Sequence, residues 1–227
     1  MLHPLGFSTG SLAPGNVRRA LTMLAPHRTT ALELSALRTT ELDDILSFLP
    51  SYDWSTFRYI SFHAPSRFNG LTEADVIRRI HPVIQRRWPI IVHPDALTDW
   101  NAWANLGHLV CIENMDNRKP AGRTVEELLP IFDRLPDARF CFDIGHARQI
   151  DPSMKLSHDL VTAFRSRLAQ VHLSVVDDNF AHQPLSAAAM QDFAPLLQAL
   201  PPHVAIILET PVDELTLPSQ WNLAMIS

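Results

Sequence analysis

Lysine is nearly absent from this chain. Lys119 and Lys155 are the only two in 227 residues, and seventeen arginines supply the rest of the positive charge. Basic residues number 19 against 24 acidic ones, a net charge of −5. That balance excludes a strongly basic nucleic-acid binder, although it leaves room for a local basic patch. Cysteine is almost as scarce: Cys111 and Cys141 stand alone, which rules out a disulfide scaffold. No apolar run approaches the roughly 18 residues that a membrane span requires. Met1–Gly10 lacks the charged start and apolar centre of a secretion signal, so a cytoplasmic protein is the default expectation. Glycine is sparse as well, seven against 18 prolines, which points to sharply punctuated element ends. With 46% hydrophobic and 19% charged residues, the chain has the composition of an ordinary globular protein with a real core. No linker, low-complexity tract or shift of composition divides it, and residues 1–227 read as one domain.

Apolar or β-branched runs recur throughout. They are Leu5–Ser8, Ala31–Leu34, Tyr59–His63, Ile90–His93, Leu109–Glu113, Arg139–Asp143, Gln170–Leu173 and Val204–Glu209. Their mean spacing of about 29 residues is the length of a βα unit. Helical stretches lie between them. Pro14–Leu24 has Pro near its first turn, and Leu42, Ile45, Leu46 and Leu49 keep helical spacing within and just beyond Thr40–Phe48. Thr72 is placed as the N-cap of Glu73–Ile80, with Pro82 forcing a kink or a restart. Leu97–Leu106 is short. Thr124 and Glu127 suggest a capping box before Leu128–Leu135, and Ser157–Leu168 and Ser186–Leu200 follow. Eight strands alternating with helices, many of them almost wholly apolar, predict a compact (β/α)8 TIM barrel. Its last helix must be short or irregular, since only 18 residues follow Glu209. The rival is a doubly wound open sheet. That fold usually carries a glycine-rich first turn, which Ser8-Thr9-Gly10-Ser11 is not.

Eleven histidines make up for the missing lysines, and their placement is informative. Six of the eight runs end in, or one residue past, a residue able to hold a metal: His63, His93, Glu113, Asp143, His172 and Glu209. In a parallel barrel the C-terminal strand ends meet at one mouth, so these side chains are expected to converge. Three carboxylates brought together repel one another, and no lysine stands at a strand end to balance them; divalent cations would. A lone strand-end His or Glu is ordinarily just a satisfied rim residue, but six on one mouth need a common cause. His146, three residues past Asp143, and His182, in the loop after the seventh strand, fit the same mouth. Cys111 and Cys141 lie two residues before presumed ligands and read as small apolar packing groups. Trp88, Trp100 and Trp103 read as helix packing. Arg118, Lys119 and Arg123 cluster after the fifth strand, either as a solvated loop or as a phosphate contact.

Six segments carry a resemblance, in order, along nearly the whole chain. They are Phe62-His63-Ala64-Pro65, Val92-His93-Pro94, Ile112-Glu113-Asn114, Phe142-Asp143-Ile144-Gly145-His146, Val171-His172-Leu173 and Leu208-Glu209-Thr210-Pro211. The set resembles the xylose isomerase-like superfamily of barrels and, within it, endonuclease IV most. The resemblance implies one metal at His63, His93 and Glu113, and a second at Glu113, Asp143, His172 and Glu209, with Glu113 bridging. It implies a third at His146, His182 and an Asp two residues before His182. That place holds Phe180, with Asp177 and Asp178 nearby but out of step. Two ions are therefore expected, with the third weak or missing. Zn is the favoured metal, with Mn, Fe or Mg as alternatives.

Two enzyme readings follow, and one without catalysis. The first is a metal-dependent hydrolase of phosphoesters acting on a small phosphorylated or polyol substrate, with Arg118, Lys119 and Arg148 as substrate contacts. The acidic balance and lean loops speak against duplex DNA as a partner. The second is a sugar or sugar-phosphate isomerase or epimerase, with Glu113 and Glu209 as acid and base around one metal. The arginine that epimerases of the superfamily commonly carry after the seventh-strand His is missing from Ser174–Asn179. The third is a barrel that binds metal without turnover.

Overall fold

The computed structural model describes residues 3–225. Eight parallel strands close into a barrel: β1 (Leu5–Ser8), β2 (Ala31–Ser35), β3 (Tyr59–His63), β4 (Ile90–Val92), β5 (Val110–Glu113), β6 (Arg139–Asp143), β7 (Leu168–Leu173) and β8 (Ala205–Leu208). Each pairs with its neighbour in sequence, and β8 returns to β1. All eight expected strands are present. His93 and Glu209 stand one residue beyond β4 and β8, and β7 begins two residues earlier than Gln170. A two-stranded antiparallel ribbon, Val175–Val176 with His182–Gln183, follows β7 and was not foreseen.

The helices are shorter than their sequence periodicity suggests, because caps rather than apolar spacing set their ends. Val17–Leu24 starts at an Asn16 cap and leaves Pro14 outside. Ahead of it stands a single helical turn, Thr9–Leu12. Thr72 caps Glu73–Arg79 in a full capping box with Asp75, and the chain restarts at Pro82 as His81–Gln85. The box expected at Thr124 is only half formed. Thr124 accepts from the Glu127 N–H, but the Glu127 carboxylate turns to the backbone and guanidinium of Arg123, a stronger donor. Trp100–Ala104, Lys155–Ala163 and Ala187–Gln198 lie inside their expected bounds or begin just ahead of them. The last helix, Leu217–Met225, is short as expected. Among the described residues, no helix is long and apolar enough to cross a membrane.

The main core lies between the barrel and its helices. Outward strand residues such as Leu32, Leu34, Phe62, Phe140 and Phe142 are fully buried there. Inside the barrel, the separate cluster Ile91, Cys111, Cys141 and Ala169 includes both cysteines, packed as small apolar groups. Burial raises the Cys111 thiol to about 12, so it stays protonated. Trp103 is fully buried, and its indole N–H donates to Glu73 at 2.6 Å; Trp88 packs edge-on to Trp54, and Trp100 lies under Arg134.

Candidate metal centre at the barrel mouth

Strand register brings the inward side chains together. Glu33 faces Ser61 across the β2–β3 pair and Ser35 faces His63, so each strand places every second residue inside. Asp143 ends β6 and also caps the helix Ile144–Ile150, accepting from the His146 N–H at 2.7 Å. That turn sets His146 over the mouth. Gly145 allows it: a Cβ there would stand 2.8 Å from the Ser174 carbonyl oxygen.

Glu113 is the centre of the arrangement. Its Oε2 lies 3.2 Å from His63 Nε2 and 3.4 Å from His93 Nε2. Its Oε1 lies 3.5 Å from both His172 Nδ1 and His146 Nδ1. Three sets of donor atoms are close enough to share an ion: His63, His93 and Glu113; Glu113, Asp143, His172 and Glu209; and Asp143, His146 and His182. Nearly all of these side chains are buried, with His182 the most open at 32% exposure.

The chemistry of the donors fits cations. His63 Nδ1 lies 2.8 Å from the Ala64 carbonyl, which takes its proton and points the Nε2 lone pair at Glu113. A lone pair facing a carboxylate is repulsive unless a proton or a metal ion lies between them. His172 repeats the pattern. Its Nε2 lies 3.0 Å from the Glu33 carboxylate and 2.8 Å from the Gln170 amide nitrogen, and the anionic Glu33 favours a proton there. Its Nδ1 has no hydrogen-bond partner and faces Glu113, Glu209 at 3.4 Å and Asp143 at 3.9 Å. Asp143 Oδ2, 3.9 Å from that nitrogen, is likewise buried without a partner. Orphaned acceptors converging on one another, of mixed nitrogen and oxygen type, form a donor set suited to Zn²⁺.

The proton balance shows the same excess of negative charge. Burial disfavours a charged His63, but the hydrogen bond and charge of Glu113 outweigh it and raise its pKa to about 9. Burial lifts the Glu113 carboxyl as well, yet the neighbouring His172 and His93 hold it well below its usual range. Glu209 goes the other way: burial raises it, only partly countered by His172 and His182. His93, beside the same carboxylate as His63, is lowered, because burial dominates there.

All eight expected ligand residues therefore meet at one mouth, and six of them (His63, His93, Glu113, His146, His182 and Glu209) line a cavity of about 270 Å³. Arg118 and Lys119 line it too, paired with Asp116 at 2.6 Å and Asp95 at 2.7 Å. Arg148 does not line this cavity. It pairs with Asp192 at 2.8 Å and lies over Phe193, because the helix that carries it turns that side outward. Asp177 does not fold back toward His182 either. Its carboxylate accepts from the N–H groups of Asn179 and Ala181 and from Gln183, so it is committed to the ribbon turn.

Two acidic residues at this site escaped the sequence reading. Glu33 is fully buried inside the barrel and accepts from Ser61 and Gln170 while holding His172. A charge in the middle of an apolar strand, on the same parity as Ser35, was the available signal. Asp116 lines the cavity at 2% exposure, three residues past Glu113. Asn114, between them, clasps the Asp143 backbone through both ends of its amide.

Solved structures share this architecture. Endonuclease IV from Thermus thermophilus aligns over 99% of this chain and 100% of its own, with a TM-score of 0.59 and 17% identity. The probable 3-DHS dehydratase AsbF, involved in petrobactin synthesis in Bacillus anthracis, aligns over 100% and 98%, with a TM-score of 0.60 and 12% identity. SacUVDE aligns over 91% and 83%, with a TM-score of 0.52 and 17% identity. These neighbours are xylose isomerase-like TIM barrels, and this chain has their fold. No protein-family model and no curated protein matches the sequence. The neighbours differ in chemistry, so the likeness carries the fold and leaves the reaction to the site.

Proposed function

We propose that this protein is a divalent-metal-dependent enzyme with a phosphoester hydrolase-like activity on a small phosphorylated or polyol substrate. One observation carries the reading: Glu113 presents each carboxylate oxygen to a different donor set, Oε2 to His63 and His93, Oε1 to His172 and its neighbours. A carboxylate so placed could hold two ions at once, and paired ions would supply chemistry suited to displacement at phosphorus. His63, His93 and Glu113 would hold one ion, and Glu113, Asp143, His172 and Glu209 the other, with Zn²⁺ the best match to the donors. Bound there, the ions would supply a nucleophilic water at neutral pH and neutralise charge on phosphate oxygens.

The remaining work falls to the chain itself. Glu209 lines the cavity and would complete the second donor set from the side of His182. Arg118 and Lys119 orient an anionic substrate at the rim. The size of the cavity and the acidic partners already held by both cations favour a small substrate over duplex DNA.

The isomerase or epimerase reading keeps one observation of its own. Glu113, Asp143, His172 and Glu209 form a complete four-residue set without the two outer histidines. Metal analysis together with turnover of p-nitrophenyl phosphate and bis-p-nitrophenyl phosphate separates the two. Two or more ions per chain with phosphate release supports hydrolysis. One ion, with solvent hydrogen exchanged into a ketose or aldose, overturns it. An abasic duplex cut at physiological salt would replace the small substrate with DNA.

A further inference from the structure

We infer that the substrate is a phosphate ester with an apolar alcohol part, a hydrocarbon group of about one ring seated on Pro14, Leu37 and Pro211, an inference that rests on the phosphoester reading above. The mouth has two unlike sides. Arg118 and Lys119 line it from the loop after β5. β1 stands opposite β5 in the ring, with β2 and β8 beside it, and the loops after these three strands bring Pro14, Leu37 and Pro211 to the same cavity. Those loops touch one another. Leu37 Cδ1 lies 3.6 Å from where a Gly10 Cβ would stand, and the Val212 N–H donates to the Ser11 carbonyl at 3.5 Å. Both prolines are exposed, and Leu37 is 41% exposed. Among the described large apolar side chains left that open, Leu37 alone lines the mouth.

The hydroxyls of that side are already used or closed off. Ser11 Oγ directs its one proton at the Ser8 and Leu208 carbonyls, 2.8 and 3.2 Å away. Ser8 and Ser35 are almost fully buried, and Ser35 Oγ is sealed from solvent. A polyol laid here would give up hydrogen bonds to water and regain none from these hydroxyls. A hydrocarbon group would instead cover Leu37 and the two prolines and take apolar surface out of water. Exposed apolar residues scattered singly need no ligand. Three from separate loops, on one side of a cavity whose other side carries two cations, match a molecule with one apolar and one anionic end. The phosphoryl group then faces Arg118, Lys119 and the donor sets, and the apolar part lies toward β1.

Calorimetric titration of the zinc-loaded protein with three phosphonates tests the assignment, since these carry the same anionic head and resist hydrolysis. Benzylphosphonate should bind about tenfold more tightly than methylphosphonate, and 2,3-dihydroxypropylphosphonate no more tightly than methylphosphonate. Leu37→Ser should shrink the benzyl preference to within about threefold. Leu129→Ser, at an exposed leucine on the helix Val125–Arg134 that does not line the cavity, should keep it. Equal binding of the three, tightest binding of the dihydroxypropyl compound, or a benzyl preference untouched by Leu37→Ser would overturn the inference and leave the phosphoester reading standing. No binding of zinc, or of any phosphonate, would overturn both.

Discussion

The two ends of the barrel treat charge in opposite ways. At the N-terminal end several arginines are satisfied by backbone carbonyls. Arg139 donates to the His108 carbonyl at 2.7 Å, Arg167 to those of Pro136 and Ala138 at 2.6 and 2.8 Å, and Arg165 to that of Ala199. Several of these carbonyls follow helix C-termini, where a cation also favours the helix dipole. At the C-terminal mouth the charges are carboxylates and imidazoles facing one another, and some of their buried atoms lack any partner. Barrel closure alone treats both ends alike. The difference is that one end satisfies its charges by itself, while the other brings together donor groups that could hold an ion.

Glu113→Gln should break the mouth most severely. An amide cannot bridge two cations, so bound metal should fall by more than about 100-fold in affinity and activity should vanish. Elemental analysis and phosphate release check this, and full metal content with full activity would reduce Glu113 to a rim residue. Glu33→Gln comes next. It touches no ion position, but it removes the anion that holds the His172 Nε2 proton, and metal affinity should drop about 10–100-fold in a folded protein.

Acid should weaken the mouth by a graded amount. His63, with its pKa raised to about 9 in the metal-free chain, holds a proton below that value. An ion must displace it, so affinity should fall about tenfold per pH unit for that one proton as pH drops below 9. Calorimetric titrations in buffers of different ionisation enthalpy count the released protons, and pH-independent affinity would contradict the placement of His63. The smallest effect belongs to the opposite end. Arg167→Ala leaves two carbonyls without their donor and should cost about 1–2 kcal/mol of stability, roughly 2–6 °C in Tm. Its zinc affinity should match wild type. A loss of metal binding there would erase the contrast between the two ends.

Read from the sequence alone, all eight strands and the shared end of six polar residues were recoverable, because a two-residue alternation and a βα spacing are local properties. Glu33 was overlooked, because its importance lies across the barrel, at Gln170 and His172, more than 130 residues away. Arg148 was misplaced, because nearness to His146 in sequence says nothing about which side of a helix faces the cavity.

The amino-acid sequence by itself determined the barrel and the kinds of donor atom at its mouth, since the order of apolar runs and the residue closing each one are written into the chain. Only the tertiary structure decided which atoms of Glu113 face which imidazoles, that Asp177 serves a turn, and that Asp116 stands opposite His146. Those choices depend on loop backbones and on tautomers set by distant carbonyls and carboxylates, and such partners become neighbours only after the strands have closed.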